Sequence, residues 1–236
     1  MRINKFISET GFCSRREADK LVESGRVTIN GVKAELGSQA ELGDDVRIDG
    51  KRIGEQKRHV YIALNKPVGI TSTTELHIPG NIVDFIGHPE RIFPIGRLDK
   101  DSEGLILLTN DGDVVNPILR SEGKHEKEYI VTVDRPVTDE FIKGMSSGVR
   151  ILGSMTLPCV VTRIAQRTFR IILTEGKNRQ IRRMCQAYGY HVHKLKRIRI
   201  MNIELGELAT GRWRDLTDEE REKLFHTLQY EPASLA

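Results

Sequence analysis

PIGRLDKDSEGLILLTNDG, residues 94–112, is the stretch on which the reading of this chain turns. Three acids, Asp99, Asp101 and Glu103, and two bases, Arg97 and Lys100, stand directly before the apolar run Leu105-Ile106-Leu107-Leu108. Gly104 bounds that run on one side and Asn110-Asp111-Gly112 on the other, so it reads as a short buried strand ending in a tight turn. A carboxylate at the mouth of a buried strand, beside a guanidinium, suits catalysis or a turn cap, and the segment alone leaves both open.

Working outward, the chain is 236 residues long, enough to bury a real core in one or two domains. Charged residues make up 30% and aromatics 6%, a globular composition. The net charge of +4 is modest, so its distribution matters more than its size. Asp215, Asp218, Glu219, Glu220 and Glu222 make the C-terminal region acidic, which concentrates basic charge elsewhere, and local basic charge points to nucleic acid. Cys13, Cys159 and Cys185 are odd in number and form no CxxC pair, so neither a zinc site nor a disulfide framework follows. Unpaired thiols, an N-terminus without an apolar leader and no run long enough to span a bilayer lead to an expected cytoplasmic location with no membrane partner.

Residues 1–55 read as a self-contained unit. Ile3, Phe6 and Ile7 have helical spacing up to Gly11, and Ser14-Arg15-Arg16-Glu17 forms a capping box for a second helix that stops at Gly25. Val27–Ile29 and Val32–Ala34 flank an Asn30-Gly31 hairpin turn, and Val46–Ile48 and Lys51–Ile53 repeat the pattern around Asp49-Gly50. So small a unit presents a face and encloses little. Arg2, Lys5, Arg15, Arg16 and Lys20 could follow a phosphate backbone from it, although the interleaved Glu9, Glu17, Asp19 and Glu23 equally fit a solvated helix face. The run RINKFISETGFCSRREADKLVESGRVTING resembles the αL-type RNA-binding module of a small-subunit ribosomal protein and several RNA-modifying enzymes.

Glu55-Gln56-Lys57-Arg58 reads as a polar linker to a larger domain over 59–236. Strands are expected at Val60–Leu64, Lys127–Val133, Val160–Ile164, Thr168–Thr174 and His193–Ile203. Helices are expected at Asp139–Ser146, Arg179–Tyr188 and Asp218–Phe225. Their irregular order departs from βα alternation and predicts an α+β, mixed, largely antiparallel domain. No GxGxxG, GxxxxGK[ST] or GxSxG is present, which argues against dinucleotide-type folds, P-loop nucleotide hydrolysis and serine hydrolysis of that class. His191 and His193 lack nearby Cys, Asp or Glu ligands, so no metal is expected and surface or RNA contact is the expectation for the pair.

Three segments then fall in order: Lys66-Pro67-Val68-Gly69, Gly96-Arg97-Leu98-Asp99, and EGKNRQIRRM over Glu175–Met184, with Lys127-Glu128-Tyr129 between the last two. Together they resemble the pseudouridine synthases, in the branch with an αL-type N-terminal module. NKPVGITSTTE, NIVDFIG, FPIGRLDKDSEGL, HEKEYIVTVD and NRQIRRMC are most similar to a subfamily acting on large-subunit ribosomal RNA, and the likeness runs over residues 2–228. It implies that a uridine within RNA is isomerised, its base reattached through C5 in place of N1, with nothing added or removed and no cofactor. It implies Asp99 as the essential nucleophile or electrostatic partner and Arg182 as the arginine paired with it. An aspartate serves there only when ionised, and a paired arginine opposes the shift that burial imposes. The resemblance makes Tyr129 the residue that stacks on the target base and a candidate for moving the C2′ or C5 proton. Leu195 packs against the base, Lys66 and Pro67 shape the adjoining loop, and Arg97 either helps displace the base or contacts phosphate. Asp101 and Glu103 are left as turn or cap residues, with Leu105–Leu108 as support for Asp99.

A uridine in structured RNA must be flipped out at a cost of a few kcal/mol, so the RNA must be held. Residues 175–199 supply Lys177, Arg179, Arg182, Arg183, Lys194, Lys196, Arg197 and Arg199 against the single acid Glu175, and most are expected on phosphate or sugar. The expected partner is ribosomal RNA, a uridine in a stem-loop, bound by a monomer. Transfer RNA, small-subunit ribosomal RNA and a non-catalytic role in ribosome assembly stay as alternatives.

Overall fold

The computed structural model describes residues 1–54, 58–120 and 123–231. The described residues form two compact units, one of Met1–Val60 with Pro89–Arg91 and one of Tyr61–His88 with the chain from Ile92 onward. Glu55, Gln56 and Lys57 of the expected linker lie outside the described residues.

In the first unit, α1 (Ile3–Glu9) and α2 (Arg15–Glu23) precede β1 (Val27–Ile29), β2 (Val32–Lys33), β3 (Val46–Ile48) and β4 (Lys51–Arg52). The expected capping box is present: Ser14 Oγ accepts from the Glu17 amide at 3.2 Å, and Glu17 Oε2 accepts from the Ser14 amide at 2.8 Å. At the other end of α2 the Gly25 amide donates to Val22 O and the Arg26 amide to Leu21 O, a Schellman closure that uses the positive φ of Gly25. The strands pair antiparallel in the order β2-β1-β3-β4, with Asn30 and Gly31 both at positive φ in the first hairpin turn. Ile3, Phe6, Ile7, Ala18 and Val22 from the helices pack on Val27, Val46 and Ile48 from the strands.

The second unit is built on one large mixed sheet. Its elements in chain order are β5 (Tyr61–Lys66), α3 (Ile82–Ile86), β6 (Phe93–Ile95), β7 (Glu103–Thr109), α4 (Val115–Leu119), β8 (Lys127–Val133) and α5 (Asp139–Ser146). They continue with β9 (Arg150–Ile151), β10 (Ser154–Met155), β11 (Val160–Ala165), β12 (Thr168–Leu173), α6 (Gln180–Ala187), β13 (Val192–Ile200), β14 (Ile203–Glu204), β15 (Trp213–Asp215) and α7 (Asp218–Leu228). The strand order is β11-β12-β8-β13-β7-β5-β15, with β6 added on β7 and β14 on β13. The β13–β7 pair is parallel, and every other ladder of this sheet is antiparallel. The mixed, largely antiparallel sheet expected from the sequence is therefore present.

Both the Tyr61–Leu64 part of β5 and the Leu105–Leu108 run of β7 are buried throughout, which is why they read as continuous apolar runs without alternation. Tyr61, Ala63, Leu105 and Leu107 face a core completed by Ile203, Leu216 and Leu224. Phe141 of α5 closes on Phe169 of β12, with ring centroids 5.3 Å apart. The strand expected over His193–Ile203 stops at Ile200, because Met201 adopts a left-handed backbone (φ 52°) and turns the chain back into β14. Among the described residues, no helix is long and apolar enough to cross a membrane.

Candidate active site

Asp99 sits in the turn between β6 and β7, and four hydrogen bonds to its backbone hold that turn. The Ser102 amide donates to Asp99 O at 3.0 Å and the Gly69 amide to Lys100 O at 2.8 Å. Ser72 Oγ donates to Leu98 O at 2.8 Å and accepts from the Leu98 amide at 3.2 Å. The loop after β5 thus grips the turn on both sides of Asp99. Lys66 stabilises that loop from beneath: its fully buried Nζ donates to Pro67 O and Ile70 O, each at 2.9 Å. Burial pulls the Lys66 ammonium down to about 8, and the carboxylates of Asp101 and Asp99 oppose that fall.

The turn opens onto a cleft of about 1020 Å³. Asp99, Arg97, Tyr129, Lys177, Arg179, Arg182, Leu195 and Arg197 all line it, though the sequence spreads them over a hundred positions. Sheet register accounts for much of this. Tyr129 on β8 stands opposite Arg197 on β13, and Arg197 stands beside Gly104 on β7. Tyr129 and Leu195 are both nearly buried, exposing 9% and 6% of their surface, and so form an apolar wall.

The arginine contacts differ from the expected ones. Arg179 Nη1 lies 3.5 Å from Asp99 Oδ2, and the same guanidinium grips Asp101 with two parallel hydrogen bonds of 3.0 Å. Arg182, the expected partner of Asp99, instead donates from Nη2 to Asp101 O (3.0 Å) and Ser102 Oγ (3.1 Å), and from Nη1 to Val192 O (3.2 Å). Its closest carboxylate is that of Asp101, at 3.4 Å. The cause is the 99–102 turn, which directs the backbone and carboxylate of Asp101 at the start of α6. Asp101 is therefore more than a turn residue. The guanidinium of Arg179 holds its carboxyl below the usual range, helped by Arg182.

The basic stripe is also partly spoken for. Arg197 is buried, its Nε donates to Leu105 O at 2.6 Å, and its guanidinium lies 6.0 Å from the centre of the Tyr129 ring. It lines the cleft from within and exposes little of its surface. Arg199 is held by Glu128 at 2.8 Å and Glu126 at 2.9 Å, and Lys194 by Glu103 at 3.1 Å. Lys177 Nζ donates to Ser154 Oγ and Met155 O, and Arg183 to Asn178. Arg97 is exposed at the cleft and Lys196 half-buried. In the first unit Arg2, Arg15 and Arg16 are exposed, while Lys5 pairs with Glu9 at 3.5 Å.

Two contributors escaped sequence reasoning. Ser72 is one of several hydroxyl residues in ITSTT, and nothing in the string marks which one reaches residue 98. Asp101 lacked any signal that its partners lay some eighty positions downstream. Among the described residues, no cluster of three or more His, Cys, Asp or Glu is placed to hold a metal ion.

Two family models match the chain: RNA pseudouridylate synthase over residues 60–187 and the S4 domain over residues 1–46. Curated relatives include the dual-specificity RNA pseudouridine synthases RluF of Salmonella typhi, 58% identical over 97% of this chain and 80% of the relative, and of Escherichia coli K12, 57% identical with the same coverage. Ribosomal large subunit pseudouridine synthase B of Bacillus subtilis is 37% identical over 94% of this chain and 95% of its own length. A pseudouridylate synthase of known crystal structure superposes with a TM-score of 0.70 at 31% identity, covering 95% of this chain and 99% of the other. The chain belongs to the RNA pseudouridylate synthases, in the branch that carries an S4 domain ahead of the catalytic domain.

Proposed function

We propose that this protein isomerises a uridine of ribosomal RNA, in the large subunit, with Asp99 as the catalytic carboxylate. The observation that carries the reading is the convergence of Asp99, Tyr129, Leu195, Arg179 and Arg182 on one cleft, in a chain 57–58% identical to RNA pseudouridine synthases. The large subunit is favoured by the likeness to the B. subtilis large-subunit enzyme. The dual specificity of the RluF relatives favours a second RNA target, for which transfer RNA is our choice.

In this reading residues 1–55 dock the RNA and residues 59–236 perform the chemistry, within a monomer in the cytoplasm. Arg2, Lys5, Arg15 and Arg16 meet phosphates from the first unit, Lys177 meets them at the cleft, and Lys196 and Arg183 meet them outside it. Arg97, exposed at the rim, helps displace the target base. The extruded uracil stacks on Tyr129 and packs against Leu195. Asp99 then acts at the junction of ribose and base while the C1′–N1 bond breaks and the C1′–C5 bond forms. The proton displaced from C5 passes to solvent, with Tyr129 as its carrier, and N1, freed from C1′, takes up a proton, so that nothing is added or removed overall. Arg179 and Arg182 keep the carboxylate environment cationic.

Tritium release from C5-labelled uridine in ribosomal RNA tests the assignment. Asp99→Ala is expected to abolish release while RNA affinity stays within about twofold, as expected for a group that acts after binding. Residual turnover by that variant would remove Asp99 from the role.

A further inference from the structure

Asp101 lies two residues beyond the proposed catalytic carboxylate and is nearly half exposed, yet it engages two arginines of the cleft. Its two carboxylate oxygens take parallel hydrogen bonds from Arg179 at 3.0 Å each, and its backbone oxygen takes one from Arg182 at 3.0 Å. Arg179 adopts a left-handed backbone (φ 50°, ψ 36°) at the start of α6. A long side chain rarely takes that conformation, and it persists where surrounding contacts over-determine it. The bidentate fork leaves Nη1 of Arg179 also 3.5 Å from Asp99 Oδ2, so one guanidinium spans both carboxylates. A lone arginine on a flexible stem would be mobile. Gripped at two points, it presents a fixed charge.

We propose that Asp101 is a positioning residue for the isomerisation: it holds Arg179 and Arg182 in register so that a fixed guanidinium faces Asp99. The inference rests on the reading of Asp99 as the catalytic carboxylate. It assigns Arg179 to the catalytic centre and withdraws it from the phosphate contacts expected of the basic stripe. The lowered pKa of Asp101, caused chiefly by its hydrogen bonds from Arg179, accords with this, since the group stays ionised wherever the pair is needed.

The test compares Asp101→Asn, Asp101→Glu, Arg179→Lys and the double variant Asp101→Asn/Arg179→Lys, with Asp99→Asn in parallel, by tritium release from C5-labelled ribosomal RNA. Asp101→Asn and Arg179→Lys are each expected to lower kcat roughly tenfold to a hundredfold, the scale of small misplacements at a reacting centre. KM is expected to stay within about twofold, as for an interaction made in the transition state. The double variant is expected to fall no further than the worse single variant, because both changes break one pair, and Asp101→Glu to recover part of the missing kcat. Thermal midpoints close to the parent's separate this from a folding defect. The proposal is overturned by an unchanged kcat in either single variant, by multiplicative losses in the double, by a raised KM at constant kcat, or by losses that follow the thermal midpoint. If Asp99→Asn turns over, the Asp99 reading fails. If Asp99→Asn is inactive and Asp101→Asn is not, only the positioning role does.

Discussion

Lys66 shows how a single side chain acquires a role through burial. The NKPVG string suggested a loop-shaping residue, and the structure gives the means: an ammonium with no solvent exposure that donates to two carbonyls of the loop gripping the Asp99 turn. Its pKa of about 8 lies below the ordinary lysine value, so between about pH 8 and about 10.4 the unfolded chain binds a proton that the folded one has released. Stability contributed by this group therefore rises with pH across that window, and below it the full burial penalty is present. Urea unfolding of the parent and of Lys66→Met, at intervals from pH 7.5 to 10.5, is expected to show a slope steeper by about one proton in the parent. Coincident slopes would place the titration elsewhere. At this scale the sequence singled out Asp99, Tyr129 and Leu195, which line one cleft, because each stands in a distinctive string. The Arg179–Asp101 fork was not, because it is made by residues 78 positions apart.

At the scale of elements, the site depends on the close approach of β7 and β13, the parallel pair within an otherwise antiparallel sheet. Gly104 permits it. Its φ is +106°, and a Cβ built there would meet Arg197 O at 2.2 Å and Arg197 N at 2.7 Å, both backbone atoms that cannot step aside. Gly104→Ala is expected to cost about 3 kcal/mol, from combined overpacking and backbone strain, and to lower activity by displacing Arg197 and the Asp99 turn. The midpoint of urea unfolding reads the first effect and tritium release the second; an unchanged midpoint would show that the strands need no such approach. Periodicity located β8, β11, β12 and α5 to within a residue or so, since each carries its own alternation or cap. It did not reveal α3, α4 or the β9–β10 hairpin, which are too short to show a period and form through neighbours distant in sequence.

For the whole molecule, the balance of charge governs RNA binding. Several bases of the 175–199 stripe are neutralised within the fold: Arg199 by Glu126 and Glu128, Lys194 by Glu103, and Arg179 by Asp101. Arg2, Arg15 and Arg16 stand exposed in the first unit. Replacing Arg15 and Arg16 together by Ala is expected to reduce the slope of log affinity against log salt by about 1.5, at roughly 0.7 to 0.9 for each phosphate no longer neutralised. Arg199→Ala is expected to leave that slope unaltered and to lower stability, since it strips two carboxylates of their partner. Fluorescence anisotropy with a ribosomal RNA hairpin across a salt series decides it, and a slope that responds to Arg199 and not to Arg15 and Arg16 reverses the assignment.

By itself the amino-acid sequence determined the order of the two units, the largely antiparallel character of the sheet and the strings that carry the chemistry. These follow from capping boxes, turn residues and apolar runs, whose physics acts over a few neighbouring residues. Only the tertiary structure decided which arginine meets which aspartate, that Ser72 clamps residue 98, and that Arg197 is buried and Arg199 neutralised. Those contacts join strands and turns far apart in the chain, and a hydrogen bond is satisfied within a few tenths of an ångström, a precision that sheet register and backbone turns supply and local sequence patterns do not carry.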